Sequence, residues 1–174
     1  LLEAAVQRDG VDVLLDELDT LGFNAIEVSN GIEERINRDY KIVLIEKARE
    51  HGFRVFSEVG RKLPQEDAAL SYRDRVDEIR ADLEAGAEKV IMESRESGTV
   101  GIFDANGQIN SELAYELFQH IDPEDIIWEA PKRAQQIWLL HQLGPEANIG
   151  NVATTDVLSL ASLRHGLRAD TLRD

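Results

Sequence analysis

Four glutamates recur at one place in the pattern of the sequence, each at the end of a short apolar run. They are Glu27, Glu58, Glu93 and Glu129. If the runs are parallel strands, these carboxylates converge at one edge of a sheet and offer the hard oxygen ligands that Mg²⁺ accepts. We therefore predict a Mg²⁺ region in which at most two or three of the four bind the ion directly. The alternative is that each carboxylate pairs with a neighbouring Arg or Lys.

Positive charge follows three of these glutamates closely. The basic residues are Arg61 and Lys62 after Glu58, Arg95 after Glu93, and Lys132 and Arg133 after Glu129. Arg95 shares strand parity with Glu93 and can present a planar fork to a phosphate, sulfonate or carboxylate. Lys62 follows Gly60 in a loop, where a partly desolvated lysine can act as a general acid or base. We therefore expect these basic residues to form an anion-binding rim around the glutamates. The alternatives are that Arg95 pairs with Glu93 or Glu96 and that Lys62 is an ordinary solvated surface lysine.

The elements that must position these residues form a repeating unit of amphipathic helix, glycine and β-rich run. The first clear copy is a leucine stripe ended by Gly22 and followed by residues 25–28. Further strands are predicted at residues 54–58, 89–93, 125–129 and 148–152. Alternating helices and strands predict an α/β fold with parallel strands and right-handed crossovers. Because no Gly-rich phosphate loop follows the first strand, a TIM (β/α)8-type barrel is favoured over an open doubly wound sheet.

Composition narrows the class of protein. The chain has 174 residues, a net charge of −15 and no cysteine. The acidic balance argues against binding nucleic acid or anionic membranes, and the lack of cysteine excludes disulfides and thiolate metal sites. No apolar run approaches the roughly 20 residues of a membrane span, so a cytoplasmic protein is expected. A complete barrel usually needs roughly 250 residues, so we expect a single, partial barrel domain over residues 1–174.

Longer segments resemble a known family. They are Ile26 to Gly31, Glu58 to Lys62, Glu93 to Gly98, Trp128 to Pro131 with Gln135, Gly150 to Val152, and Leu163 to Thr171. In this order and spacing the chain resembles phosphosulfolactate synthase, which makes a sulfonate for coenzyme M and sulfolactate biosynthesis. Residue 30 is Asn where relatives often have Asp, and residue 61 is Arg where they have Lys. According to this resemblance, the chain corresponds to about five C-terminal βα units of the family's barrel and lacks the first three units.

The resemblance implies an enzyme that adds sulfite to phosphoenolpyruvate with Mg²⁺ and gives (2R)-phospho-3-sulfolactate. Lys62 matches the family's proton donor. The substrate-binding positions that follow from it are Arg95, Ser97, Arg133, Gln135, Asn151, Arg164 and Arg168. It also implies a homo-oligomer, with a trimer suggested. Two alternatives stay open, because fold does not guarantee activity. One is a non-catalytic, heat-stress-associated relative, and the other is an enolate- or phosphate-handling barrel enzyme with a different nucleophile.

Overall fold

Helices and strands alternate along the chain in the computed structural model, which describes residues 1–30 and 35–172. The strands are β1 (Ala25–Val28), β2 (Arg54–Val59), β3 (Lys89–Met92), β4 (Ile126–Glu129) and β5 (Ile149–Gly150). The helices are α1 (Leu2–Gln7), α2 (Val11–Thr20), α3 (Arg38–Glu50), α4 (Pro64–Ala69), α5 (Tyr72–Ala85), α6 (Ser111–His120), α7 (Arg133–Leu143) and α8 (Val157–Arg164). Gly31, which ends one of the family-like segments, lies outside the described residues.

The five strands form one parallel sheet in the order β1-β2-β3-β4-β5. Each strand therefore pairs with the next strand along the chain, and a helix crosses between them. This sequential order is the one a (β/α) barrel uses, whereas a doubly wound sheet reverses direction at a switch point. The predicted α/β fold with parallel strands is confirmed as a partial barrel. Within the described residues β1 and β5 are the two edges, and the sheet is not closed. The prediction of a single domain over 1–174 stays a prediction.

Local sequence signals explain where the helices begin and end. Ser71 and Asp74 form a reciprocal capping box at the start of α5, as the Ser-x-x-Asp spacing predicts. The same helix ends at Gly86, which adopts the left-handed conformation that glycine accepts without strain. These two signals fix the length of α5 and hence the entry into β3.

Two predictions about elements need correction. β5 contains only two residues, Ile149–Gly150, instead of the five predicted, because only Trp128 and Glu129 of β4 pair with it. α1 and α4 were not predicted; each has six residues, too few for a helical stripe to be recognised. No helix within the described ranges is long and apolar enough to cross a bilayer.

The two faces of the sheet differ in burial. Residues of one parity, Val55, Val59, Val90, Ile126 and Trp128 among them, are at most 2% exposed and lie under the helices. Residues of the other parity, such as Phe56, Ile91 and Ile127, are only partly buried. Because side chains alternate along each strand, the second face corresponds to the inside of a barrel. The predicted glutamates belong to this second face.

Candidate active site

The strand register brings the glutamates of β2, β3 and β4 to one place. Glu58 pairs with Ile91, and Ile91 precedes Glu93 by two residues. Ile91 also pairs with Ile127, which precedes Glu129 by two residues. Equal parity puts the three carboxylates on the inner face at the carboxyl ends of their strands, as predicted. In parallel α/β folds this edge is where active sites form.

Glu27 joins the same face from β1, but it is less enclosed. It pairs with Phe56, which precedes Glu58 by two residues. Its side chain is exposed, whereas Glu58 and Glu93 are 7% and 4% exposed. Glu27 therefore acts on the cluster mainly through its charge, which adds to the rise in the pKa of Glu58.

Crowding of the carboxylates changes their acidity. Burial raises the pKa of Glu58 to about 8, and the neighbouring Glu93 carboxylate adds to the rise, while the Lys62 ammonium opposes it. Burial also raises the pKa of Glu129, and hydrogen bonds from the Ser94 amide and the Asn151 side chain oppose that rise. Glu58 therefore holds a proton at neutral pH unless a cation compensates its charge.

Backbone amides after β3 orient two of the carboxylates. The Arg95 amide donates to Oε1 of Glu93 at 2.6 Å, and the Ser94 amide donates to Oε2 of Glu129 at 2.9 Å. Arg95 reaches this position with a φ of 64°, in the left-handed region that is uncommon for a residue other than glycine. The turn after β3 therefore holds Glu93 and Glu129 in fixed directions.

Lys62 lies beside the cluster, on the loop after β2. Its Nζ is 3.8 Å from Oε1 of Glu58, and its side chain is 34% exposed. Nη1 of Arg95 donates to the Lys62 carbonyl at 2.8 Å, so the loops after β2 and β3 are joined. Gly60 makes this approach possible, since a β-carbon there would lie 2.8 Å from that of Glu93. The structure thus brings Lys62, Arg95 and the carboxylates together.

Two of the predicted substrate-binding residues flank this site. Asn151 follows β5 with a φ of 54° and directs its side chain to Glu129. Ser97 lies on the exposed surface of the loop after β3, where its hydroxyl is 2.7 Å from that of Thr99. Both are placed at the carboxyl edge of the sheet, and substrate contact for them stays a prediction.

Gln135 and Arg133 lie on α7 and are engaged elsewhere. Gln135 is 1% exposed, and its Nε2 donates to the carbonyls of Gly98 and Gly107. It thereby fastens the insertion between β3 and α6 to the start of α7. The guanidinium of Arg133 is 2.5 Å from the Asp170 carboxylate, in an ion pair beyond α8. The structure does not bring these two side chains to the carboxylates, and their substrate role stays a prediction.

Arg164 and Arg168 are also separated from the cluster. Arg164 donates to the carbonyls of Pro145 and Ala147, in the loop that enters β5. This loop lies at the amino edge of the sheet, opposite to the glutamates. Burial lowers the pKa of Arg164. Arg168 is exposed beyond the end of α8. Their roles as ligands for phosphate or sulfonate therefore have no support from the geometry.

A Mg²⁺ site at the cluster fits the chemistry of two carboxylates better than of four. Among residues 1–30 and 35–172, no group of three or more Asp, Glu, His or Cys side chains is arranged to hold a metal. Glu58 and Glu93 are adjacent, buried oxygen donors, and Mg²⁺ commonly takes one or two carboxylates together with water. A cation between them would offset the repulsion from Glu93, which adds to the rise that burial causes in the pKa of Glu58. Two such carboxylates fit Mg²⁺ with water completing its coordination, and direct binding of the ion by Glu27 or Glu129 stays a prediction.

Sequence reasoning missed a buried lysine on α3. Lys41 is fully buried, and its Nζ contacts the Asp82 and Glu78 carboxylates of α5 at 2.6 and 3.3 Å. A signal was present: residues 41, 44, 45 and 48 have the spacing of one helical face, and all four are buried. A lysine within an otherwise apolar stripe indicates a buried charge with a partner.

A second buried ion pair was also missed. Both terminal nitrogens of Arg75 contact the carboxylate of Asp67, at 3.0 and 2.9 Å. Asp67 also accepts hydrogen bonds from the amides of Arg61 at 2.9 Å and Gly101 at 2.7 Å. It therefore joins α4, the loop after β2 and the insertion after β3. No spacing in the sequence pairs residues 67 and 75 across two helices.

Comparison with known proteins decides the family. Residues 1–170 match the family described as (2R)-phospho-3-sulfolactate synthase (ComA). The chain belongs to this family. It is 43% identical over 173 residues to the phosphosulfolactate synthase of Methanothermobacter thermautotrophicus, an alignment that covers 99% of the chain and 67% of that protein. The phosphosulfolactate synthase of Methanocaldococcus jannaschii is 40% identical over 177 aligned positions, which cover 98% of the chain and 68% of the relative.

A bacterial relative extends the comparison. The phosphosulfolactate synthase of Bacillus subtilis is 38% identical over 155 residues, which cover 86% of the chain and 59% of that protein. The chain thus spans about two thirds of the length of the two archaeal relatives. The resemblance noted from the segments at the strand ends is confirmed as membership of the family.

Proposed function

We propose that the protein acts as a phosphosulfolactate synthase, which adds sulfite to phosphoenolpyruvate in the presence of Mg²⁺. The observation that carries the proposal is the contact between buried Glu58 and Lys62 at the carboxyl edge of the sheet, 3.8 Å apart, in a chain of this family. A buried carboxylate pair beside a lysine is costly to desolvate, so a purely structural scaffold gains little from it. This favours the enzyme over a non-catalytic relative.

The reaction forms one carbon–sulfur bond and moves one proton. The lone pair on sulfur attacks C3 of phosphoenolpyruvate, and the electrons of the C2–C3 double bond move onto the carboxylate as an enediolate. A proton delivered to C2 then completes (2R)-phospho-3-sulfolactate. Glu58 and Glu93 would hold Mg²⁺, and the bound ion would supply positive charge where negative charge develops on the substrate.

Lys62 is the residue that supports proton delivery to C2. Its ammonium is a donor, it reaches the inner face beside Glu58, and it is one third exposed, so substrate has access to it. Arg95 lies beside the site, because its guanidinium bonds to the carbonyl of Lys62, and it is the best candidate for binding a phosphate or sulfonate group. Asn151 and Ser97 border the same edge. The contributions of Arg133, Gln135, Arg164 and Arg168 rest on the resemblance alone.

The test is a Lys62→Ala variant of the protein expressed from its complete gene. Sulfite consumption and sulfonate formation are followed by mass spectrometry with phosphoenolpyruvate and Mg²⁺. Loss of a general acid should lower kcat about 100-fold or more. Lys47→Ala is the matched control, since Lys47 is 33% exposed and pairs with Asp12 on the outer helices; it should keep wild-type turnover.

Each arm has an outcome that contradicts the proposal. If the wild-type protein consumes no sulfite, the proposed synthase activity is wrong, and the stress-associated alternative is favoured. Turnover with phosphoenolpyruvate and a different nucleophile would favour another enolate-handling enzyme. The same proposal includes a cytoplasmic location and a homo-oligomer. We expect light scattering to give the mass of a trimer, and the mass of a monomer for the active protein would contradict the oligomer.

A further inference from the structure

Lys41 lies directly behind the proposed site, between the helices and the second strand. Its Nζ donates to the main-chain carbonyl of Glu58 at 2.6 Å, to Oδ2 of Asp82 at 2.6 Å and to Oε1 of Glu78 at 3.3 Å. An ammonium has three N–H groups, so all of its donors are in use. One of them reaches the backbone of a residue whose side chain belongs to the site.

The same network reaches the other side of the loop. Oε2 of Glu78 lies 3.4 Å from Nη2 of Arg61, the residue before Lys62. The segment from Glu58 to Lys62 is therefore held at Glu58 by Lys41 and at Arg61 by Glu78. The Asp82 carboxylate balances the positive charge of Lys41. Burial raises the pKa of Asp82, and the Ser57 hydroxyl, which lies beside Asp82, opposes this rise.

Stability alone does not explain this arrangement. Asp82 and Lys41 are both 0% exposed, and removing two charges from water costs about as much as their attraction returns. Position 41 belongs to the buried stripe of α3, where an apolar side chain would serve packing at lower cost. The feature an apolar residue cannot supply is the hydrogen bond to the Glu58 carbonyl.

We propose that Lys41 is a positioning residue of the site. By holding the main chain of Glu58 and, through Glu78, the side chain of Arg61, it fixes the separation between the Glu58 carboxylate and the Lys62 ammonium. This inference rests on the proposed function for its catalytic consequence, because the groups it positions are those assigned to cation binding and proton delivery. Lys41 itself is shielded from substrate by its burial.

The decisive variant is Lys41→Met combined with Asp82→Leu. Lys41→Met alone leaves the Asp82 carboxylate buried without its cation, and loss of folding would obscure the result. The double variant replaces the buried pair with apolar groups, and Glu78 keeps Arg61 as its partner. Ile45→Ala is the matched control, because Ile45 lies one turn further along α3, is also 0% exposed and belongs to the apolar core.

The expected kinetic result separates positioning from simple destabilisation. In the protein expressed from its complete gene, the double variant should fold, lose about 100-fold in kcat and keep its KM for phosphoenolpyruvate within about threefold, since misplacement of a reacting group by about 1 Å has such an effect. Ile45→Ala should melt at a lower temperature and keep its kcat below that temperature. A folded double variant with wild-type kcat would overturn the proposal.

A second measurement does not depend on turnover. Hydrogen–deuterium exchange should rise in the double variant over residues 57–63 and stay unchanged over β4 and α7. Unchanged exchange over 57–63 would overturn the positioning role even if the protein proved to have another activity. Absence of sulfite addition by the wild-type protein would instead contradict the proposed function, so the two failures are distinguishable.

Discussion

Replacing Glu58 with glutamine should stabilise the protein, and the gain should grow with pH. The pKa of Glu58 is about 8 in the folded protein against an ordinary value of 4.5. Between these values the folded state binds a proton that the unfolded state has released, so the free energy of unfolding falls as pH rises. Full stability is present below about pH 4.5, and the loss is complete near pH 8.

The magnitude follows from the size of the shift. Each pH unit in this window costs about 1.4 kcal/mol, so the carboxyl group lowers stability by about 3 kcal/mol at pH 7 and about 5 kcal/mol at pH 9. Glutamine has nearly the same shape and does not ionise. Glu58→Gln should therefore exceed the wild type by about 1 kcal/mol at pH 5 and by these larger amounts at pH 7 and 9.

The assay is urea denaturation at pH 5, 7 and 9 with a chelator present, so that no divalent cation compensates the charge. Tryptophan fluorescence, from Trp128 and Trp138 in the same apolar cluster, reports the loss of the core. Glu84→Gln, an exposed change on α5, is the control and should stay within about 0.5 kcal/mol of the wild type at every pH. A constant difference between Glu58→Gln and the wild type from pH 5 to 9 would refute the reasoning.

Two further changes test the supports of the site. Gly101→Ala should cost about 2 kcal/mol or more, because φ is +70° and the new β-carbon would lie 2.3 Å from the Glu93 carbonyl oxygen; an unfolding free energy equal to that of the wild type would argue against this close approach. Arg75→Met should cost about 3–5 kcal/mol in the same urea assay, since it leaves the buried Asp67 carboxylate without its cation. A loss below about 1 kcal/mol would mean that the amides of Arg61 and Gly101 compensate Asp67 by themselves.

The sequence predicts the strand ends well because two local signals coincide there. A β-rich run ends at Glu58, at Glu93 and at Glu129, and the period of two along each strand then determines that these side chains share a face. The length of β5 is predicted poorly, because it is limited to Ile149–Gly150 by the residues of β4 that pair with it. No local pattern in the sequence shows this pairing.

The directions of long basic side chains are predicted less well. Arg133 and Arg164 are close in sequence to strand ends or family-like segments, yet one pairs with Asp170 and the other with main-chain carbonyls of the loop before β5. A flexible side chain turns toward whichever acceptor the tertiary structure brings near, so its partner is a property of the fold. Lys41 is the opposite case, since its place in the helical stripe of α3 could have shown that it is buried.

The alternation of the sheet has a consequence for how this protein can change over evolution. Val55, Val59, Val90 and Ile126 pack against the helices, whereas Glu58, Glu129 and, directly after β3, Glu93 face the other way. A substitution on the inner face would change the proposed site without replacing any side chain that packs between the helices and the sheet. These strands therefore carry two sets of positions with separate physical tasks, so changes on the inner face leave the packing of the outer face intact.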